Sequence, residues 1–186
     1  WPGAGNALDA WEKKPGDPVC EADLAVDAFL KRELGALLPS AGWLSEETAD
    51  GPERLDATRL FIVDPIDGTR AFIDGSRDFS HALAVVENGV PIVAAIFVPM
   101  KNRLYLAASG QGATLNGREV AVSGQPVLSG ASVAGPKSIT GQGPMMRTGI
   151  SHAGYVPSLA LRLALVAEGR IDAAVVRENA CDWDLA

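Results

Sequence analysis

The 186-residue chain is 47% hydrophobic, which makes it globular rather than disordered and long enough for one or two modest domains. Its net charge of −7 argues against nucleic-acid polymers, which need a basic face, but leaves an anionic small substrate open if bound cations neutralise some of the acid. The two cysteines, Cys20 and Cys181, make no secreted disulfide framework and are expected to stay thiols. The longest apolar run, 90–100, is broken by Pro91 and Pro99 and is too short for a bilayer. With no basic-then-apolar leader at 1–5, a cytoplasmic protein without a membrane partner is expected.

In chain order, residues 1–19 are rich in Gly, Pro and Lys and read as irregular, with 12–19 as a mobile loop. A solvated surface loop is the plainer meaning of that composition. From Cys20 to Leu38 the pattern turns helical. Leu24, Ala28, Phe29, Leu30, Leu34 and Leu37 approximate a 3.6 period, and Pro39 stops it. Asp23 falls in the first turn, where a carboxylate suits the helix dipole. The adjacent acids of Ser45-Glu46-Glu47-Thr48 read on composition as surface charge, and 49–58 as polar loop.

Residues 60–63 are an apolar run that predicts a buried strand. Pro65 lacks an N–H, so the strand is expected to end there, and Asp64 before it is biased to an extended conformation. Asp64 and Asp67 then sit three residues apart on a strand-end turn, where two carboxylates repel unless a cation lies between them. Mg²⁺ prefers such oxygen ligands and leaves positions for substrate phosphate, and the Ile66 carbonyl is a further donor. Gly68-Thr69 opens a short helix over 70–73, whose first N–H groups attract phosphate. An ordinary Asp-rich turn after a core strand is the alternative.

After a turn at 74–78, strands are expected at 80–86, 92–98 and 104–107, with Asn88-Gly89 joining the first two. Asn116-Gly117 joins 111–115 to 118–122 in the same way, so the sheet should be largely antiparallel. Residues 123–156 read as a Gly/Ser/Pro-rich link holding one apolar stretch, 131–134, while 141–150 has no clear pattern. A helix follows over 158–167, with Leu159, Leu163 and Val166 on one face, then a strand at 171–176.

The hexapeptide Asp64-Pro65-Ile66-Asp67-Gly68-Thr69 resembles the signature of the inositol monophosphatase superfamily of metal-dependent phosphomonoesterases. Val19-Cys20-Glu21-Ala22-Asp23 resembles that family's Val-Thr-x-Ala-Asp segment, with Cys20 in place of Thr. Ser45-Glu46-Glu47 resembles its Gly-Glu-Glu, residues 110–117 its Gly-x-Gly-Ala-x-x-Asn-Gly, and Trp183-Asp184-Leu185-Ala186 its Trp-Asp-x-Ala.

The resemblance implies an α/β (α+β) fold, a layered αβαβα sandwich of the inositol monophosphatase/fructose-1,6-bisphosphatase type. It implies a metal-binding subdomain with the main sheet over 1–125 and a smaller α/β subdomain over 126–186. Family chains continue beyond both ends of this one, so a partial sequence, or ordered segments joined together, is expected. The implied metal ligands are Glu46, Asp64, the Ile66 carbonyl, Asp67 and Asp184, for two or three Mg²⁺ ions with inhibition by Li⁺. Asp23, Glu46 and Thr69 are the implied catalytic residues, and the Gly68 and Thr69 N–H groups would hold phosphate. Water would attack the small phosphorylated substrate directly, without a phosphoenzyme. A homodimer is compatible with the family.

Arg177 stands seven residues before Asp184, where inositol monophosphatases carry Glu. Arg162 stands where bacterial bisphosphate nucleotidases carry Lys. Guanidinium groups suit a second phosphate. The resemblance therefore implies a 3′(2′),5′-bisphosphate nucleotidase that converts 3′-phosphoadenosine 5′-phosphate to AMP. Inositol-1-monophosphatase or histidinol phosphatase is the alternative, and a catalytically silent metal-binding module is the reading from another class. Solvated surface arginines are the plain reading of Arg162 and Arg177.

Overall fold

The computed structural model describes residues 9–176, 178 and 180–186. The described chain starts with β1 (Ala10–Lys14) and β2 (Asp17–Cys20), an antiparallel hairpin. Composition suggests irregular chain here, and the hairpin corrects that. Pro15 and Gly16 form its turn, with Gly16 at φ +83° where a side chain would be strained. The strands are too short for their pairing, Trp11 opposite Val19, to show as alternation.

Helix α1 (Glu21–Leu37) starts after Cys20 and is capped where the Leu38 N–H donates to the Leu34 carbonyl at 3.0 Å. Its inward face is not the apolar stripe. Asp23 and Asp27 are buried, while Leu24, Phe29 and Leu37 are exposed. Leu30 and Leu34 are half-buried and carry what remains of the period.

A seven-stranded sheet follows. Its members are β3 (Gly42–Ser45), β4 (Arg59–Asp67), β5 (Ser80–Glu87), β6 (Val90–Val98), β7 (Arg103–Ala108), β8 (Gly112–Leu115) and β9 (Arg118–Glu119). They lie side by side in that order, with β3 parallel to β4 and every other pair antiparallel. Asn88 and Gly89 both take positive φ, as do Asn116 and Gly117, so both Asn-Gly pairs make the tight hairpins expected of them. The last strand stops at Glu119, short of the expected 122. A short 3-10 turn, Pro52–Asp56, occupies the polar loop before β4.

Strand β4 does not end at Pro65. It runs on to Asp67, and its register with β5 slips between the pairs Asp64–Ala82 and Asp67–Ser80. Strand β3 has already stopped beside Val63, and the Glu46 N–H closes that edge on the Val63 carbonyl at 3.2 Å. Pro65 therefore lies where its missing N–H is not needed. The slip also matters for chemistry. Residues three apart on a regular strand point to opposite faces, and a bulge lets both acids turn the same way. Helix α2 (Thr69–Ile73) follows directly.

The second sheet is small and parallel, with β10 (Ser132–Ala134) between β11 (Ser151–His152) and β12 (Ala173–Ala174). Only the middle of the expected 171–176 strand is paired. Two short helices, α3 (Lys137–Thr140) and α4 (Gly143–Arg147), lie in the expected link, the second within the stretch 141–150 that has no pattern. Helix α5 (Leu159–Ala167) is packed against β5 and β6 on one side and β12 on the other. It therefore buries Leu159, Ala160, Leu161, Arg162 and Ala164, and not the single apolar face that the sequence suggests. Helix α6 (Asp182–Leu185) lies against β4. The whole is a mixed α/β fold around a central mixed sheet. Among the described residues, no helix is long and apolar enough to cross a membrane.

Candidate active site

Three acids from two distant segments converge. Carboxylate oxygens of Asp64, Asp67 and Asp184 all lie within 4.8 Å of one another. The bulge at the end of β4 supplies the first two and the start of α6 the third. Beneath them Ile66 is buried in an apolar cluster with Cys20, Phe72 and Phe79, which anchors the motif to the start of α1. Phe72 and Phe79 meet edge to face with centroids 4.8 Å apart.

Burial and mutual repulsion dominate the electrostatics. Burial pushes the Asp64 carboxyl well above the usual range, and Asp67, Glu46 and Asp184 push it further. Asp64 Oδ1 is buried without a hydrogen-bond partner. Burial also raises Asp67, to about 6, although donors from Ser158, Ala160 and Leu159 pull the other way. Glu46 is raised by burial against the attraction of Lys13. An orphaned carboxylate oxygen among like charges, in a group of three carboxylates, fits a hard divalent cation such as Mg²⁺. Asp64, Asp67 and Asp184 are the residues that could hold one; Glu46 lines the same cavity but stands outside that group, its carboxylate on Lys13.

These acids line a cavity of about 840 Å³ together with Lys13, Gly68, Thr69, Arg70 and Tyr155. On its floor Thr69 Oγ1 lies 3.1 Å from Asp23 Oδ1 and 3.0 Å from the Ile66 carbonyl. Asp23 is fixed from behind, because its Oδ2 accepts from the Cys20 N–H at 2.9 Å and from the Cys20 thiol at 2.8 Å. Cysteine thus does the capping work of a hydroxyl residue here. Burial, then the bond to Asp23, pushes that thiol up to about 11. Cys181 begins α6 in the same manner, its N–H donating to Asp184 Oδ2 at 2.8 Å. Both cysteines are thiols.

Gly68 has φ +96°, and a Cβ there would come within 3.4 Å of the Ser158 nitrogen. Glycine is what lets the motif sit against α5. Asp67 is the other half of that contact, taking Ser158 Oγ at 2.7 Å, the Ala160 N–H at 2.6 Å and the Leu159 N–H at 3.1 Å.

Of the two arginines expected near the substrate, Arg162 is buried and not a solvated surface residue. It donates to the Val175 carbonyl at 2.8 Å and lies 5.7 Å from the Tyr155 ring centroid. It lines a second cavity, about 380 Å³, that shares Asp67, Arg70, Tyr155, Pro157 and Asp184 with the first. Arg177 lies outside the described residues.

Sequence reasoning missed Lys13, Arg70, Tyr155 and Ser158. Lys13 Nζ bridges Glu46 at 3.1 Å and Glu47 at 2.9 Å, so it stands among the acids as an internal cation. Arg70 donates to the Gly16 carbonyl at 2.9 Å and ties α2 to the hairpin turn. Both depend on the β1–β2 hairpin, and the only local signal for it was the Pro-Gly pair.

The model of the inositol monophosphatase family matches residues 3–186. The inositol-1-monophosphatase of Rhizobium meliloti (strain 1021) is 33% identical, over 94% of this chain and 68% of its own length. The 3′(2′),5′-bisphosphate nucleotidase CysQ of Escherichia coli (strain K12) is 35% identical, over 56% of this chain and 43% of its own length. A crystal structure of the extragenic suppressor protein suhB from Bartonella henselae superposes with a TM-score of 0.85 at 31% identity, covering 100% of this chain and 74% of that one. The chain thus spans about two thirds of one curated relative and less than half of another. On this fold and this match, the chain belongs to the inositol monophosphatase family of metal-dependent phosphatases.

Proposed function

We propose that the protein hydrolyses phosphomonoesters with two or three Mg²⁺ ions and prefers a substrate with a second phosphate. The preferred substrate would be 3′-phosphoadenosine 5′-phosphate, which yields AMP and phosphate. The observation that carries the hydrolytic part is the meeting of Asp64, Asp67 and Asp184 in one cavity with Thr69, whose hydroxyl rests on the buried Asp23. When bound, Mg²⁺ supplies positive charge for the phosphoryl oxygens and makes water easier to deprotonate.

The chain's own residues do the rest. Asp64, Asp67, Asp184, Glu46 and the Ile66 carbonyl would hold the ions. Gly68 and Thr69 offer backbone N–H groups to the phosphoryl oxygens. The Thr69 hydroxyl orients the attacking water, and its proton passes toward Asp23, which Cys20 keeps aligned. The ester P–O bond breaks opposite the entering oxygen, and the departing alkoxide takes up one proton to leave as the free hydroxyl, balancing the one the water gave up.

Preference for a second phosphate is supported by Arg70 and Arg162 in the adjoining cavity. The Tyr155 ring, 59% exposed, offers a face on which a nucleobase could stack. Arg177 is proposed as a third cation on the strength of its sequence position alone. Inositol 1-phosphate is the second reading, favoured by the greater length over which the Rhizobium relative aligns. The division into subdomains 1–125 and 126–186 is proposed with it, since the large sheet ends at Glu119 and the small one begins at Ser132.

The hydrolytic reading is tested by phosphate release from a phosphomonoester panel, with and without Mg²⁺, for wild type and Asp184→Asn. Mg²⁺-dependent turnover that Asp184→Asn loses by roughly a hundredfold or more is expected, because a lost ligand removes several kcal/mol of charge stabilisation. No turnover by wild type on any ester would leave a silent metal-binding module.

A further inference from the structure

Helix α1 buries two carboxylates one turn apart, Asp23 and Asp27. Asp23 belongs to the pair with Thr69. Asp27 has no part in the chemistry above, yet it is only 7% exposed on a helix that leaves Leu24 and Phe29 in solvent. Burying a carboxylate is costly unless hydrogen bonds offset it. Both of its oxygens are engaged. Oδ1 accepts from Ser45 Oγ at 2.5 Å, and Oδ2 accepts from Thr48 Oγ1 at 2.6 Å.

Ser45 and Thr48 bracket Glu46 and Glu47. Ser45 Oγ also accepts from the Glu47 N–H at 3.3 Å, and the Glu46 N–H is held by the Val63 carbonyl at 3.2 Å. The backbone of the two glutamates is therefore fixed on the sheet side by β4 and at both flanks by one carboxylate. The Glu46 carboxylate, in contrast, is met by Lys13, a long side chain from the hairpin. A long flexible ammonium positions an acid poorly, so the rigid part of Glu46's placement comes through its backbone.

We propose that Asp27 is a positioning residue for metal binding. By gripping Ser45 and Thr48 it sets the backbone from which Glu46 reaches toward Asp64, without itself touching an ion. This rests on the reading of Glu46 as a metal ligand. Hydrogen-bond partners behind a ligand commonly change metal affinity by about 10–100-fold when removed.

The test is calorimetric titration of Mg²⁺ into the full chain, with thermal melts alongside, for wild type, Thr48→Val, Asp27→Asn and Leu34→Ala. Thr48→Val is nearly isosteric at a half-buried position and leaves Asp27 one partner short. Leu34→Ala weakens α1 away from the clamp. Thr48→Val and Asp27→Asn should bind Mg²⁺ about tenfold more weakly, and Leu34→Ala should melt earlier with unchanged affinity. If Asp27→Asn does not fold, Thr48→Val carries the same comparison. Wild-type affinity in the clamp variants, with lower melting temperatures, would make Asp27 merely structural and overturn the proposal. Absence of Mg²⁺ binding by wild type would overturn the metal-site reading itself, a result distinguishable from the first.

Discussion

Ser158 Oγ donates to Asp67 Oδ2 at 2.7 Å across 91 positions of sequence, and the same hydroxyl accepts from the Leu161 N–H at 2.9 Å. One serine thus caps α5 and braces an acid of the carboxylate cluster. Ser158→Ala removes a buried bond to a charged group, which is worth about 1.5–3 kcal/mol. A urea melt should show a lower midpoint at an unchanged slope. An unchanged midpoint would mean that the bond is not made in solution.

The carboxylate cluster should make stability depend on pH in an unusual direction. A carboxyl whose folded pKa lies above its unfolded value adds stability below the unfolded value and loses it as pH rises through the folded one. For Asp67 that window runs from 3.8 to about 6, and Asp64, also raised, acts in the same direction. With metal chelated, the melting temperature should therefore fall as pH rises from about 4 to about 6. Mg²⁺ selects the ionised acids, so its stabilising effect should grow over the same range. Asp64→Asn removes the most strained of these charges. In chelator it should melt higher than wild type at pH about 7.5 and gain little from Mg²⁺. Equal pH slopes for wild type and variant would show that Asp64 is not the source.

How much of this was legible beforehand depended on whether the signal was local. The two Asn-Gly hairpins and the signature at 64–69 were readable, because each is encoded within a few residues. Pro65 misled, since the rule that proline ends a strand assumes a partner on that side, and β3 had already stopped beside Val63. The stripe on α1 misled too. Periodicity names apolar residues, whereas the helix turns Asp23 and Asp27 inward and hydrogen bonds hold them there. Contacts made by long side chains between distant elements, such as Lys13 on Glu46 and Ser158 on Asp67, leave no local trace.

The two cysteines should react differently. Cys20 is buried, and its thiol is pushed up to about 11. Cys181 is half-buried, and burial, then the Asp184 carboxylate, raises its thiol as well. A chromogenic thiol reagent at pH about 8 should modify one cysteine in the native protein and the second only after denaturation, since the thiolate is the reactive form. No reactive thiol in denaturant without reductant would mean a disulfide.

The most direct measurement compares kcat/KM for 3′-phosphoadenosine 5′-phosphate and inositol 1-phosphate on the same enzyme at one Mg²⁺ concentration. The nucleotide should be favoured by at least about tenfold, or 1.4 kcal/mol of transition-state stabilisation, and Arg162→Ala should erode that margin. A tenfold advantage for inositol 1-phosphate would contradict the assignment of the second cavity to a distal phosphate.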